Sequence, residues 1–190
     1  DKFATLLVTG PKAPAIISSV ADISTSGKDF PWVSFRSCHF ANCETTVIRV
    51  SFAGEAGWEI HCGMSEVVSV YDAIIAAGKP YNIGHFGMLA LDSMRLEKGY
   101  RSWKSDLTSD YTMLESGLGR WIKFDKGDFV GRTALQAEKQ VGSKREFVTL
   151  ILDDPSDDDP KPFGEAVYLS VVQCDGVDSG LVVSAGYGHR

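Results

Sequence analysis

Nowhere in these 190 residues does an apolar run approach the roughly 20 residues that a bilayer-crossing helix needs, so no helical span is expected and no membrane partner is assigned. Basic residues are neither in excess nor clustered. Nineteen Lys and Arg stand against 25 Asp and Glu, giving a net charge of −6. Phosphate backbones need the opposite, a patch of Lys and Arg, and nucleic acid is excluded as the main partner. Cysteine is scarce: Cys38, Cys43, Cys62 and Cys174 show no Cys-x-x-Cys spacing. Reduced thiols of an intracellular protein are expected rather than a disulfide scaffold; a Cys38–Cys43 bridge across a turn is the alternative in an oxidising setting. His39, His61, His85 and His189 are too dispersed for a metal cluster. The acidic run at 153–159 lacks calcium-loop spacing and is broken by Pro155, so it reads as a solvated loop. No Gly-x-Gly-x-x-Gly follows a strand, and any flavin or nicotinamide site belongs to another part of a longer polypeptide. Neither a signal nor a transit peptide is visible.

What is present is an ordinary globular composition, 44% hydrophobic and 23% charged. Leu6-Leu7-Val8 reads as a strand ending at Thr9-Gly10-Pro11, and a short helix carrying Ile16, Ile17 and Val20 follows. A strand is expected from Pro31 through Val33, Phe35 and Ser37, and a second over 45–52, joined through Ala41-Asn42-Cys43-Glu44. A third alternates Trp58, Ile60 and Cys62 on one face with Glu59 and His61 on the other. Val67, Val70, Tyr71, Ile74 and Ile75 recur at helical spacing after Ser65 as N-cap, with Gly78 as the stop before Pro80. Another helix is expected over 86–98, ending at Gly99. The stretch 100–112 is polar and aromatic without period, a loop long enough to carry function. Strand-like Trp121-Ile122-Lys123-Phe124 and a short helix over 133–139 come next, then strands over 147–152, 166–172 and 181–185, with Asp175-Gly176 as a hairpin turn. The change from mixed elements to strands alone divides the chain into 1–140 and 141–190. The abrupt beginning at Asp1 and the end after a strand-like segment read as a piece cut from a longer polypeptide at both ends.

The chain is organised around 49–119, where charged residues stand beside glycines and aromatics at the ends of apolar elements. Such sites offer a few polar contacts in a mostly apolar pocket for a flat, polar-edged ligand. Glu59, taken alone, reads as well as a partner of His61 or of a lysine on an exposed strand. Arg95 has an i, i+3 partner in Asp92. Gly54 and Gly57 are demanded by backbone geometry; Trp58 and Trp103 are packing residues.

Phe52-Ala53-Gly54-Glu55-Ala56-Gly57-Trp58-Glu59 resembles the signature Tyr-x-Gly-Glu-x-Gly-(Phe/Trp)-Glu of the folate-dependent aminomethyltransferase family. That family includes the T-protein of the glycine cleavage system and the C-terminal regions of dimethylglycine and sarcosine dehydrogenases. Val8-Thr9-Gly10-Pro11, Met94-Arg95-Leu96-Glu97-Lys98-Gly99, Leu114-Glu115-Ser116-Gly117-Leu118 and Phe129-Val130-Gly131-Arg132 agree in the family's order, and Val183-Ser184-Ala185-Gly186 is similar to its later Thr-Ser-Gly element. Tyr100-Arg101-Ser102-Trp103 with Asp106-Leu107 looks closer to the dehydrogenase branch.

The resemblance implies an α+β fold, with ferredoxin-like α/β modules of the T-protein kind followed by part of a C-terminal β-barrel, around a tetrahydrofolate site. It implies that Glu59 holds the amino-pyrimidine edge of the pterin, that Arg95 is the folate-site arginine, and that Phe52 and Trp121 belong to the same site. Phe52 stands where the family usually has Tyr, which removes a hydroxyl. The family's catalytic Asp lies in a segment upstream of the Val-Thr-Gly-Pro passage, so no catalytic residue is assigned here. The expected parent passes a one-carbon unit from a methylated amine or a glycine-derived donor to tetrahydrofolate. FAD would sit in another domain of that parent, and the setting would be the cytoplasm or, in a eukaryote, the mitochondrial matrix. A non-enzymatic folate-binding protein of the same fold is the rival, set back because Lys98-Gly99-Tyr100-Arg101 has no cysteine where that branch carries Lys-Gly-Cys. A folate-dependent demethylase is the third reading.

Overall fold

The computed structural model describes residues 2–151, 171–186 and 188. The chain divides into two compact units, Asp1–Lys98 and Gly99–Arg190.

In the first unit, β1 (Phe3–Thr9), β2 (Phe35–Phe40), β3 (Cys43–Ile48) and β4 (Gly57–Gly63) form one sheet in the order β1-β4-β3-β2. Every neighbouring pair is antiparallel. Helices α1 (Ala13–Val20) and α2 (Val67–Gly78) cover one face. The core is sandwiched there: Ile16 and Ile17 from α1 and Val70 and Ile74 from α2 meet Val47, Trp58 and Ile60 from the strands. The alternation in β4 explains which face that is. Trp58, Ile60 and Cys62 are buried while Glu59 and His61 stay half-buried on the other side, the period of two that a strand imposes.

Five expected boundaries move for local reasons. The strand expected from Pro31 begins only at Phe35, because Val33 takes φ 59° and turns the chain. A positive φ at a β-branched residue is incompatible with a regular strand. The strand expected over 45–52 ends at Ile48, because beyond it Ser51 folds into the interior. The link from β2 to β3 is shorter than expected. Ala41 and Asn42, at φ 48° and 66°, make a two-residue turn whose left-handed geometry matches the twist of the flanking strands. Ser65 is not the cap of α2; Glu66 holds that position without a side-chain cap. Nor is Gly78 the left-handed stop. It ends α2 at φ −80°, a 3-10 turn follows, and Asn82 at φ 57° reverses the chain. Gly78 is needed for closeness instead: a Cβ there would lie 2.6 Å from Ile83. Helix α3 (Met88–Glu97) ends as expected at Gly99, φ 69°.

The second unit carries α4 (Arg132–Val141) and the antiparallel hairpin β5 (Val171–Cys174) with β6 (Val177–Leu181). Asp175 and Gly176, at φ 52° and 76°, form its turn, where the sequence puts it. Trp121 is not in a strand: 119–121 is a 3-10 turn in which Trp121 N–H bonds Leu118 O at 2.9 Å. Residues 147–151 run without a ladder, and 182–186 lie past the end of β6. The acidic run at 153–159, most of the strand expected over 166–172, and Tyr187 and His189 fall outside the described residues. The class is mixed α and β with antiparallel sheets, as expected; among the described residues after 141 the strand structure is this one hairpin.

The four cysteines are free thiols. Burial pushes the Cys38 and Cys62 thiols upward, which leaves them protonated and inert. Among the described residues no helix is long and apolar enough to cross a membrane, and no group of acidic, His and Cys side chains could hold a metal ion.

Candidate functional site

Three separate passages of sequence converge at one end of the first unit. The loop 49–56 leaves β3 and returns as β4, and it is sewn to the end of β1. Gly10 N–H donates to Ala56 O at 2.8 Å, and the Thr9 hydroxyl donates to the same carbonyl at 3.2 Å. The buried Ser51 hydroxyl lies 3.1 Å from Thr9 Oγ1 and accepts from Ala53 N–H at 3.2 Å. Gly57 permits this closeness, since a Cβ there would sit 2.6 Å from Ser51 Cβ. On its other side the loop meets the tail of α3. Gly54 takes φ 79°, and a Cβ on it would fall 2.7 Å from Lys98 Cγ. Thr9-Gly10, the Gly-Glu-x-Gly loop and Lys98 are thus one assembly.

That assembly fixes where β4 begins and what its open face presents. The strand register sets Glu59 between Leu7 and Ile48, and His61 between Thr5 and Thr46. Directly opposed residues have Cβ atoms about 4.5–5.5 Å apart, so each polar side chain has immediate neighbours on both sides. His61 Nδ1 lies 3.0 Å from the Thr5 hydroxyl. His61 Nε2 lies 3.4 Å from Glu59 Oε2, and it is shielded from solvent with no aligned hydrogen bond. The pairing of Glu59 with His61 weighed from sequence is therefore present, and so is that of Arg95 with Asp92. Arg95 is buried, and its Nε donates to Asp92 Oδ1 at 2.7 Å. Phe52, on the loop, is 38% exposed.

Lys98, three residues after Arg95, packs on Gly54, two residues after Phe52. Trp121 belongs to the second unit, more than half exposed, with the Arg120 guanidinium 5.2 Å from its ring centre. A depression of about 440 Å³ on the first unit is lined by His61, His39, Asp22, Glu44 and Thr46 among others, and by neither Glu59, Arg95 nor Phe52. Arg49, also in the loop, was not singled out as a site residue. It lies 5.5 Å over the Trp58 ring and donates to Phe30 O, which clamps the segment around Phe30 onto the sheet.

The second unit has its own organising carboxylate. Glu115 is buried and accepts from Arg145 Nε and Nη2, both at 3.1 Å, and from Thr112 N–H at 3.1 Å. The Arg145 guanidinium, and then the Thr112 amide, hold its carboxyl below the usual range. Asp106 is fully buried, accepts from Ser102 N–H at 2.7 Å and from the Ser184 hydroxyl, and so ties the segment after β6 to the aromatic loop.

Residues 1–126 match the model of the GCVT N-terminal domain. The chain belongs to that family. Human mitochondrial dimethylglycine dehydrogenase is 36% identical over 172 residues, 90% of this chain and 20% of that protein. Human mitochondrial sarcosine dehydrogenase is 36% identical over 148 residues, 77% of this chain and 16% of that one. The aminomethyltransferase of Caldanaerobacter subterraneus subsp. tengcongensis is 37% identical over 148 residues, 78% of this chain and 39% of that protein. This chain of the GCVT family spans about a fifth of the length of the dimethylglycine dehydrogenases it matches.

Proposed function

We propose that this chain forms part of a tetrahydrofolate-binding surface in an aminomethyltransferase-type protein. Its parent would pass a one-carbon unit from a methylated amine or a glycine-derived donor to tetrahydrofolate. The observation that carries the reading is the convergence of Thr9-Gly10, the Gly-Glu-x-Gly loop and Lys98 around the strand that presents Glu59. The surroundings suit a pterin. Leu7 and Ile48 flank Glu59 in register and supply apolar surface to a flat ring, while a carboxylate accepts two N–H donors from an amino-pyrimidinone edge with charge assistance. Arg95 at the tail of α3 and Phe52 on the loop are assigned to folate binding with Glu59, and the resemblance assigns Trp121 to folate binding as well. No residue is given a chemical step; the role of these side chains is to bind and orient.

The finer architecture of ferredoxin-like modules and a terminal barrel, the division at about residue 140, a flavin site elsewhere in the parent, and a cytoplasmic or mitochondrial-matrix setting belong to the same proposal. Dimethylglycine and sarcosine dehydrogenases among the relatives support an amine-oxidising parent. The test is titration of the parent with tetrahydrofolate, with and without Glu59→Gln. Loss of about one charge-assisted hydrogen bond weakens binding roughly tenfold; equal affinities would remove Glu59 from the site.

A further inference from the structure

We infer that His61 is a positioning residue for Glu59, holding its carboxylate in the orientation that receives the ligand's N–H donors. The inference rests on the folate reading of Glu59 and adds a residue to it. Glu59 and His61 are two apart on one strand, so both project from the open face of the sheet. The imidazole is fixed from below: the Thr5 hydroxyl lies 3.0 Å from Nδ1, and the register sets Thr46 across the ring on the other side. The Thr5 hydroxyl can donate to Nδ1, and in that tautomer the ring proton sits on Nε2. Nε2 is closed off from solvent, and the acceptor beside it is Glu59 Oε2 at 3.4 Å.

A buried ring nitrogen left without a partner is costly, so this pair tightens with a small rotation of the carboxylate. Oε2 would then be anchored by the protein, leaving Oε1 of a side chain that is 40% exposed for the ligand. A ligand donor meets a carboxylate that has already given up part of its rotational freedom, which is where preorganisation adds affinity. The chain of contacts runs Thr5 to His61 to Glu59 to ligand, and only its last member touches the pterin.

The two side-chain amides separate this role from mere packing. Gln puts its amide nitrogen near Nε2, whereas Asn reaches only as far as Nδ1. The parent protein is titrated with tetrahydrofolate, following tryptophan fluorescence, as wild type, Glu59→Gln, His61→Gln, His61→Asn, and Glu59→Gln with His61→Asn. Expected are near-wild-type affinity for His61→Gln, a loss of roughly tenfold for His61→Asn, and no further loss when His61→Asn is added to Glu59→Gln. Thr5→Val, which leaves both site residues in place, gives a smaller loss in the same direction. His61→Asn binding like wild type, or an effect that adds fully to that of Glu59→Gln, overturns the positioning role and leaves the folate reading intact. Wild-type affinity in Glu59→Gln, or no binding by the wild-type parent, overturns both.

Discussion

Gly57 shows how much a single residue decides in this chain. Its φ is unremarkable, yet a methyl group there would press on Ser51 Cβ at 2.6 Å and on Thr9 Oγ1 at 3.1 Å. Neither neighbour is a flexible tail, so Gly57→Ala must push the loop away from β1. The expected cost is that of overpacking, about 1–3 kcal/mol, read as a lower midpoint in urea. An unchanged midpoint would mean the loop is not seated as described. Glu115 makes a pH prediction. Its folded pKa lies below the ordinary 4.5, chiefly because Arg145 bonds its charged form. A depressed pKa contributes stability that is present above the unfolded value and is lost as pH falls through the folded one. Stability of the wild type should therefore decline more steeply below about pH 4.5 than that of Glu115→Gln. Denaturant midpoints at a series of acid pH values check this, and parallel curves would assign the pair no role.

Among the elements, β4 and α2 were legible because one face of each is buried, so the apolar period of two or of 3.6 survives in the sequence. Ile74→Ala in α2 removes a side chain only 4% exposed and should cost about 2–5 kcal/mol; a cost under 1 would mean the α2 face is not packed. The Asp175-Gly176 turn was legible for a different reason, since few residue pairs tolerate two positive φ values in succession. Gly176→Ala should loosen β5–β6 by about 1 kcal/mol, seen as faster amide exchange across Cys174 and Val177. What was not legible depends on partners far away in sequence. Nothing local in Trp121-Ile122-Lys123-Phe124 tells that a 3-10 turn wins over a strand that would have no ladder. Nothing local tells that Thr9 meets Ser51 or that Gly54 meets Lys98, because some 40 residues separate the members of each pair. Glu59 and Arg95 entered through motif similarity, while the Thr5–His61 link had no sequence signal at all: it follows from strand register.

At the scale of the whole molecule, the buried core cluster found among the described residues lies in the first unit, from Val8 to Ile74. A chain ending at Lys98 should accordingly fold by itself, with a cooperative thermal transition and the far-ultraviolet signature of a mixed sheet and helix. A featureless melt would mean that the core needs residues beyond 98. The same sheet has an unfinished rim. Among the described residues the outer side of β1 has no neighbouring strand, and Phe3 to Thr9 holds no charge and no proline. Such a border templates any extended chain that drifts alongside it. Lys2 and Lys12 flank it in sequence. Strand exchange or clumping in concentrated solution would therefore begin there.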